Sequence, residues 1–285
     1  MTTAATATLD KTAEKPAQPD LIALKTKQQG AWSSGNYGLI GMTLNIVGEQ
    51  LAEALDLRSG QSVLDVAAGN GNITLAAARR WCNVTSTDYA PNLLANGRAR
   101  ADADGLTNIE FKEADAEALP FADGSFDAVV STYGVMFTPN QDKAAAEMAR
   151  VCRRGGKIGL ANWTPEGFIG QVFKTLGKYL PPPAGVKSPA LWGTKARLDE
   201  LFGKSAASIV AESRNFVFRY RSAEHFMDFF KTYYGPMLKA FGALDPEKQK
   251  ALHADIVALI GRMNEADDGT MVVPGEYLEV VITKR

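Results

Sequence analysis

The chain is poor in the residues that build metal and redox centres. Its 285 residues include two cysteines, Cys82 and Cys152, and two histidines, His225 and His253. The cysteines have no metal-like spacing and read as buried thiols in a reducing compartment. With so few histidines a histidine-rich metal site is excluded, and no metal is expected. Charge of one sign is lacking too: 31 Lys and Arg face 32 Asp and Glu, a net charge of −1. That balance argues against nucleic acid or an anionic membrane surface as a partner. No apolar run reaches the ~18 residues of a membrane span. The N-terminus has no basic start followed by an apolar core, so no secretory signal is read and a cytoplasmic location is expected. Repeats are absent. No serine sits in a nucleophile turn with a histidine ordered beside it.

What is present is enough apolar residue, 46%, for a sizeable core. The length allows one large α/β domain or a domain with a cap. The stretch Val63-Leu64-Asp65-Val66-Ala67-Ala68-Gly69-Asn70-Gly71-Asn72 organises the rest. It reads as strand and glycine turn, and Ile73 to Arg80 follows as a helix, the opening unit of a nucleotide-binding α/β domain. Gly69 and Gly71 allow positive φ and close approach of a ligand, and the helix start offers unpaired N–H groups. A dinucleotide site asks for a third glycine where this chain has Thr74, which is β-branched. The acid Asp65 instead ends the strand, four residues before Gly69. A carboxylate there faces a cation or a hydroxyl. It suits S-adenosylmethionine, with its α-ammonium group and no pyrophosphate, better than NAD.

These ten residues resemble the D-x-G-x-G-x-G motif of class I S-adenosylmethionine-dependent methyltransferases, with Ala67 in place of the first glycine. Asp88 ends the second strand 17 residues after Gly71. That spacing lets it accept both hydroxyls of an adenosine ribose; the competing reading is a helix-start carboxylate before Pro91. Tyr89 then packs near the adenine. Asp115-Ala116-Glu117-Ala118-Leu119-Pro120-Phe121 is similar to the family's D-A-x-x-L-P-F segment. The resemblance gives Asp115 the adenine amino group and Ala116 a backbone N–H toward the same ring. It also makes Gly30 to Gly38 a loop whose aromatics, Trp32 and Tyr37, either close over the cofactor or anchor the N-terminal helices. Arg153-Arg154-Gly155-Gly156 resembles the family's R-P-G-G junction between a helix ending at Cys152 and strand five. The likeness runs from about Trp32 to Trp163, and the best-matching subgroup includes quinone and sterol C-methyltransferases.

Strand four, Phe126 to Thr132, is apolar on both faces, as a central parallel strand requires. Thr132, Tyr133 and the residues to Phe137 leave its carboxyl end, where open α/β sheets bind ligands, so they are expected to line the space between cofactor and acceptor. Further on, helices are expected over Phe168 to Tyr179, from Thr194 to Phe202, from Ser222 through Tyr234 and from Pro246 to Glu265. Strand six is drawn from Ile209 to Ala211 and Phe216 to Tyr220. Tyr277 to Ile282 is read as an antiparallel edge strand. Phe226, Phe229, Phe230 and Tyr233 share a helix face that Tyr234 extends; the cluster either packs a cap onto the sheet or borders an apolar acceptor pocket.

The expected fold is an α/β, Rossmann-like, seven-stranded, mostly parallel sheet with an antiparallel last strand and helices on both faces. The resemblance implies strand order 3-2-1-4-5-7-6. Residues 1–19 read as a disordered tail. Residues 20–285 form the methyltransferase domain, with helical cap insertions at about 164–205 and 222–268. The expected activity is methyl transfer from S-adenosylmethionine to a small-molecule acceptor by in-line displacement. The expected cofactor contacts are Tyr37, Asp65, Ala67, Gly69, Asn70, Gly71, Asp88, Tyr89, Asp115, Ala116 and Thr132. Tyr133 and His225 are the residues named for the chemistry, with Tyr133 ranked first for acceptor contact. An NAD-dependent oxidoreductase and a non-catalytic S-adenosylmethionine-binding subunit are the alternatives. A nucleic-acid methyltransferase is disfavoured, because Ser131-Thr132-Tyr133-Gly134 follows strand four where such enzymes carry N-P-P-Y. Acceptor identity and oligomeric state are not read from the sequence.

Overall fold

The computed structural model describes residues 20–285, so the tail expected at residues 1–19 lies outside the described residues. The chain begins with α1 (Leu21–Trp32), α2 (Tyr37–Gly41) and α3 (Asn45–Ala54). The α/β alternation follows: β1 (Ser62–Val66), α4 (Asn72–Arg79), β2 (Asn83–Asp88), α5 (Pro91–Ala103), β3 (Ile109–Glu113), β4 (Phe126–Thr132), α6 (Gln141–Val151) and β5 (Cys152–Trp163). The remainder is α7 (Phe168–Tyr179), α8 (Lys195–Phe202), β6 (Ala206–Tyr220), α9 (Ala223–Tyr233), α10 (Gly235–Gly242), α11 (Pro246–Met263) and β7 (Met271–Lys284).

The seven strands form one sheet in the order β3-β2-β1-β4-β5-β7-β6. Strands β1 to β5 pair in parallel, and β7 runs antiparallel to both β5 and β6. Strand order and fold class are as the sequence implied. The central strands are buried along nearly their whole length, because helices cover both faces of a parallel sheet. Sequence order reverses between β1 and β4, so the crevice outside their carboxyl ends is where a ligand belongs.

The helix caps follow local chemistry. Asp20 accepts from the N–H groups of Ile22 and Ala23, Thr194 from Arg197, Ser222 from His225 and Asp245 from Lys248.

Four local expectations are corrected. Gly30 to Gly38 is mostly helical: α1 continues through Gly30 to Trp32, and α2 begins at Tyr37. Trp32 packs edge-on against Tyr37, Phe137 and Tyr234, and this anchorage holds the helix ends together. Arg153 to Gly156 is part of β5 rather than a turn before it; an irregular register against β4 and the positive φ of Gly155 (+68°) absorb the extra residues as a bulge. Strand β6 is a single strand of 15 residues, its polar middle tolerated because it lies at the sheet edge. Strand β7 is one place in from that edge. Helix α10 adds to the expected elements: Pro236 is accommodated in its first turn, where the missing N–H has no partner to lose.

Candidate functional site

A cavity of ≈ 810 Å³, its open mouth included, lies at the carboxyl ends of β1, β2 and β4. Its floor is the turn after β1. Ala67, Gly69 and Gly71 all have positive φ there (+52°, +57° and +83°). This chain thus places alanine in a left-handed position that favours glycine. Arg100 holds the turn from below by donating to the Asn70 carbonyl and the Asn72 amide oxygen. Asn72 in turn donates to the Gly41 carbonyl, so α2 is tied across the turn.

Asp88 is a buried anion of the cavity wall. One carboxylate oxygen accepts from the Gly69 N–H and the other from the Ala90 N–H, each at 2.9 Å. Burial pushes its carboxyl up to about 6, against the pull of the backbone N–H groups at Ala90, Gly69 and Tyr89. Asp115 and Glu117 line the cavity further out, and Lys25 of α1 reaches both, at 2.6 and 2.7 Å. Burial works against the Lys25 charge, but the two carboxylates outweigh it and raise its pKa. Glu117 is itself buried and accepts from the Asn140 N–H. Among the charged residues lining the cavity, three are anions and one is a cation.

Of the residues named from the sequence, Tyr37, Ala67, Gly69, Asn70, Asp88, Tyr89, Asp115, Ala116, Thr132 and Tyr133 are brought together on the cavity wall. Three are not. Asp65 is not on the wall: it is fully buried, one of its oxygens accepts from the N–H (3.1 Å) and hydroxyl (2.6 Å) of Thr74, and the other has no hydrogen-bond partner among the described residues. Gly71 caps α4 without a side chain, and Asp65 supplies a hydrogen-bond acceptor to this helix start through Thr74. Gly71 itself lies beneath the turn, against Thr74 and Gly97. His225 lies in the first turn of α9, where its Nδ1 accepts from the Arg221 N–H and its ring meets Tyr220 and Phe229. It lines neither this cavity nor the next.

Sequence reasoning missed Lys25 and Glu117. Glu117 stood inside the quoted D-A-x-x-L-P-F segment and was signalled by that position. A lysine on a short N-terminal helix carries no such signal.

A second cavity, ≈ 580 Å³ on the same measure, adjoins the first. Trp32, Tyr37, Tyr133 and Phe137 line both. Its other walls come from α7, α9, α10, Trp163 and Phe218. Of the α9 aromatics, Phe226, Phe230 and Tyr234 border it and Tyr233 does not. Tyr133 occupies a left-handed backbone conformation (φ +60°) and stacks on Trp163 with ring centroids 3.9 Å apart.

Among the described residues no group of three or more His, Cys, Asp or Glu is placed to hold a metal ion, and no helix is long and apolar enough to cross a membrane.

A family profile described as "Methyltransferase domain" matches residues 64–160, from within β1 to within β5. An uncharacterised protein of Mycobacterium tuberculosis (strain ATCC 25618 / H37Rv) is 41% identical over 239 residues, 82% of this chain and 87% of that one. The demethylmenaquinone methyltransferase of Thermus thermophilus is 38% identical over 128 residues, which cover 42% of this chain and 58% of that enzyme. Among solved structures, the YcgJ protein of Bacillus subtilis superposes with a TM-score of 0.59 at 18% identity, over 86% of this chain and 99% of that one. This last likeness is one of fold.

Proposed function

The chain belongs to the S-adenosylmethionine-dependent methyltransferases, and from that premise we propose that the first cavity holds S-adenosylmethionine and that the methyl group passes to a small molecule seated in the second. The observation that carries the reading is the charge of the first cavity. Asp88, Asp115 and Glu117 against Lys25 favour a sulfonium and ammonium ligand and repel a pyrophosphate. The same charge disfavours NAD.

The residues present fit the cofactor. Asp88 lines the cavity, and each of its carboxylate oxygens can accept more than the one N–H it now holds; it is assigned the ribose hydroxyls. Asp115 keeps lone pairs beyond its bonds to Lys25 and the Glu117 N–H, and takes the adenine amino group, with Ala116 and Tyr89 beside the ring. The Gly69-Asn70 turn and Thr132 are assigned the amino-acid end. When bound, the cofactor supplies a methyl group activated on a sulfonium. The protein contributes alignment and dehydration. Trp32, Tyr37, Tyr133 and Phe137 form the shared wall through which donor and acceptor meet, and the aromatic packing excludes water from it. Titration calorimetry with S-adenosylmethionine, S-adenosylhomocysteine and NAD tests the assignment: micromolar-range binding of the first two is expected, and tighter binding of NAD would overturn it.

Neither histidine reaches the shared wall. His253 faces outward, between Glu224 at 2.8 Å and Lys231 at 3.5 Å. His225→Ala and His253→Ala are each expected to keep methyl transfer within about tenfold of the parent, below the ~10²–10⁴ of a general base. A loss above about a hundredfold in His225→Ala, with cofactor binding intact, would make His225 the base after all.

The Asp88 carboxyl also predicts opposite pH trends. Its folded pKa of about 6 lies above the ordinary ~3.9, and burial raises Asp65 similarly, to about 7. Between the unfolded and folded values the folded chain binds more protons. Stability from these two groups is therefore greatest below the unfolded pKa and is lost as pH rises through the folded values. Accepting two ribose hydroxyls needs the anion, so cofactor affinity should fall below pH about 6. Lowering the pH from about 7.5 to about 5.5 should thus raise the melting temperature of the ligand-free protein while weakening S-adenosylhomocysteine binding. Asp88→Asn should flatten the affinity trend. A parallel fall of stability and affinity in the parent would contradict this assignment of Asp88.

A further inference from the structure

Strand β6 forms one edge of the sheet, and among the described residues it pairs only with β7. A free edge offers a row of N–H and C=O groups to another strand. Proteins commonly guard such edges with proline, lysine, bulges or short strands. β6 lacks these guards over most of its length. It runs for 15 residues and contains neither proline nor lysine. Its one irregularity in register lies at its start, between Ala206 and Ser208. Glu212, Ser213, Arg214 and Asn215 are all exposed, so both faces of the strand's middle are open.

The charges that β6 does carry do not repel a second copy. They are Glu212, Arg214 and Arg219. An antiparallel pair about a two-fold axis at Ser213 sets Glu212 opposite Arg214 of the partner subunit, and the symmetry makes that contact twice. Val210, which is 54% exposed, then meets Phe216. Ile209 meets Val217, Ala211 meets Asn215, and Arg219 meets Ala207. No like charges face each other in this register. An axis at Glu212 would set that carboxylate against its own copy, and an axis at Arg214 would do the same to the guanidinium. Arg214 is already held by Glu212 at 2.8 Å and Glu279 at 3.2 Å, so little side-chain freedom is lost when it meets a facing carboxylate.

We propose that the protein is a homodimer joined by antiparallel pairing of two β6 edges about Ser213, so that the two seven-stranded sheets run on as one. Main-chain hydrogen bonds hold the copies together, and the Glu212–Arg214 pairs set the register. Residues 207–217 line neither cavity, so the inference does not depend on the cofactor assignment.

Sedimentation equilibrium of the full chain at micromolar concentration should give twice the chain mass of 30.6 kDa. Ser213→Cys should form an interchain disulfide on mild oxidation. Residues on the axis face each other with Cα atoms about 4.5–5.5 Å apart, within disulfide reach. Asn215→Cys should not, because its two copies lie about 13 Å apart along the strands. The native cysteines, Cys82 and Cys152, are buried and do not compete. Glu212→Arg sets like charges face to face and should weaken dimerisation by about tenfold or more. The exchange Glu212→Arg/Arg214→Glu should restore it. The proposal is overturned if the parent sediments at the mass of one chain, or if Ser213→Cys cross-links no better than Asn215→Cys. It is equally overturned if Glu212→Arg dimerises as tightly as the parent, or if the exchange dimerises no better than Glu212→Arg.

Discussion

Asp88→Ala should weaken S-adenosylmethionine binding by about 10- to 150-fold, the equivalent of the ~1.5–3 kcal/mol net that a hydrogen bond to a charged group contributes. The geometry adds a second expectation. Alanine would strip the Gly69 and Ala90 N–H groups of the oxygens they now hold at 2.9 Å. The turn after β1 should loosen, and the melting temperature should fall along with the affinity. Asp88→Asn retains one carbonyl-type oxygen, so it should recover part of the stability and less of the affinity. Calorimetry and thermal unfolding on the same preparations separate the two effects. Unchanged affinity in a folded Asp88→Ala protein would reduce Asp88 to a carboxylate at the start of α5.

The second large effect is expected at Gly134, and its cause is steric. Gly134 has φ −78°, a conformation open to any residue. What demands glycine is space: a Cβ there would lie 1.9 Å from the Ala67 carbonyl oxygen and 2.8 Å from the Ala67 Cβ. The two ligand-facing turns, after β1 and after β4, touch at this point. Gly134→Ala must push them apart. Overpacking of this kind costs about 1–3 kcal/mol, or about 3–10 °C in melting temperature for a domain of this size. Because both turns line the first cavity, displacement by about 1 Å should lower methyl transfer by about a hundredfold. Melting temperature and turnover both within error of the parent would mean that the turns yield without cost and do not fix the reactants.

The α/β half of the molecule was legible from sequence because its signals are local. Val63 to Val66 is apolar but for Asp65 and Phe126 to Thr132 is built on Ala128-Val129-Val130, the glycine turn follows the first at once, and Pro91 and Gly105 bracket α5. The first cavity was legible for the same reason: nine of its wall residues sit at strand ends whose order could be read. The failures are failures of direction and distance. Nothing in the spacing of Asp65 tells that one of its oxygens turns back to the start of α4, where Thr74 offers both N–H and hydroxyl. Lys25 is 90 residues from Asp115 and 92 from Glu117, and a lone lysine on a helix reads as a solvated one. The second cavity is drawn from widely separated segments of α2, the β4 exit, the β5 end, α7, β6, α9 and α10. Each contributes aromatics or aliphatics that read locally as ordinary core. β6 was seen in two pieces because residues 212–215 are polar, as an edge strand permits.

The position of β7 bears on how the protein is made. Strand β6 touches the sheet only through β7, along a register running from Ala206–Lys284 to Tyr220–Met271. During synthesis, therefore, residues 206–220 leave the ribosome with no strand to pair with, and β5 waits with one side open. Both are completed only when residues 271–284 arrive and slot between them. A nascent chain stalled in α11 would expose one edge of β5 and both edges of β6 at once, which makes that interval the one in which chaperone protection matters most.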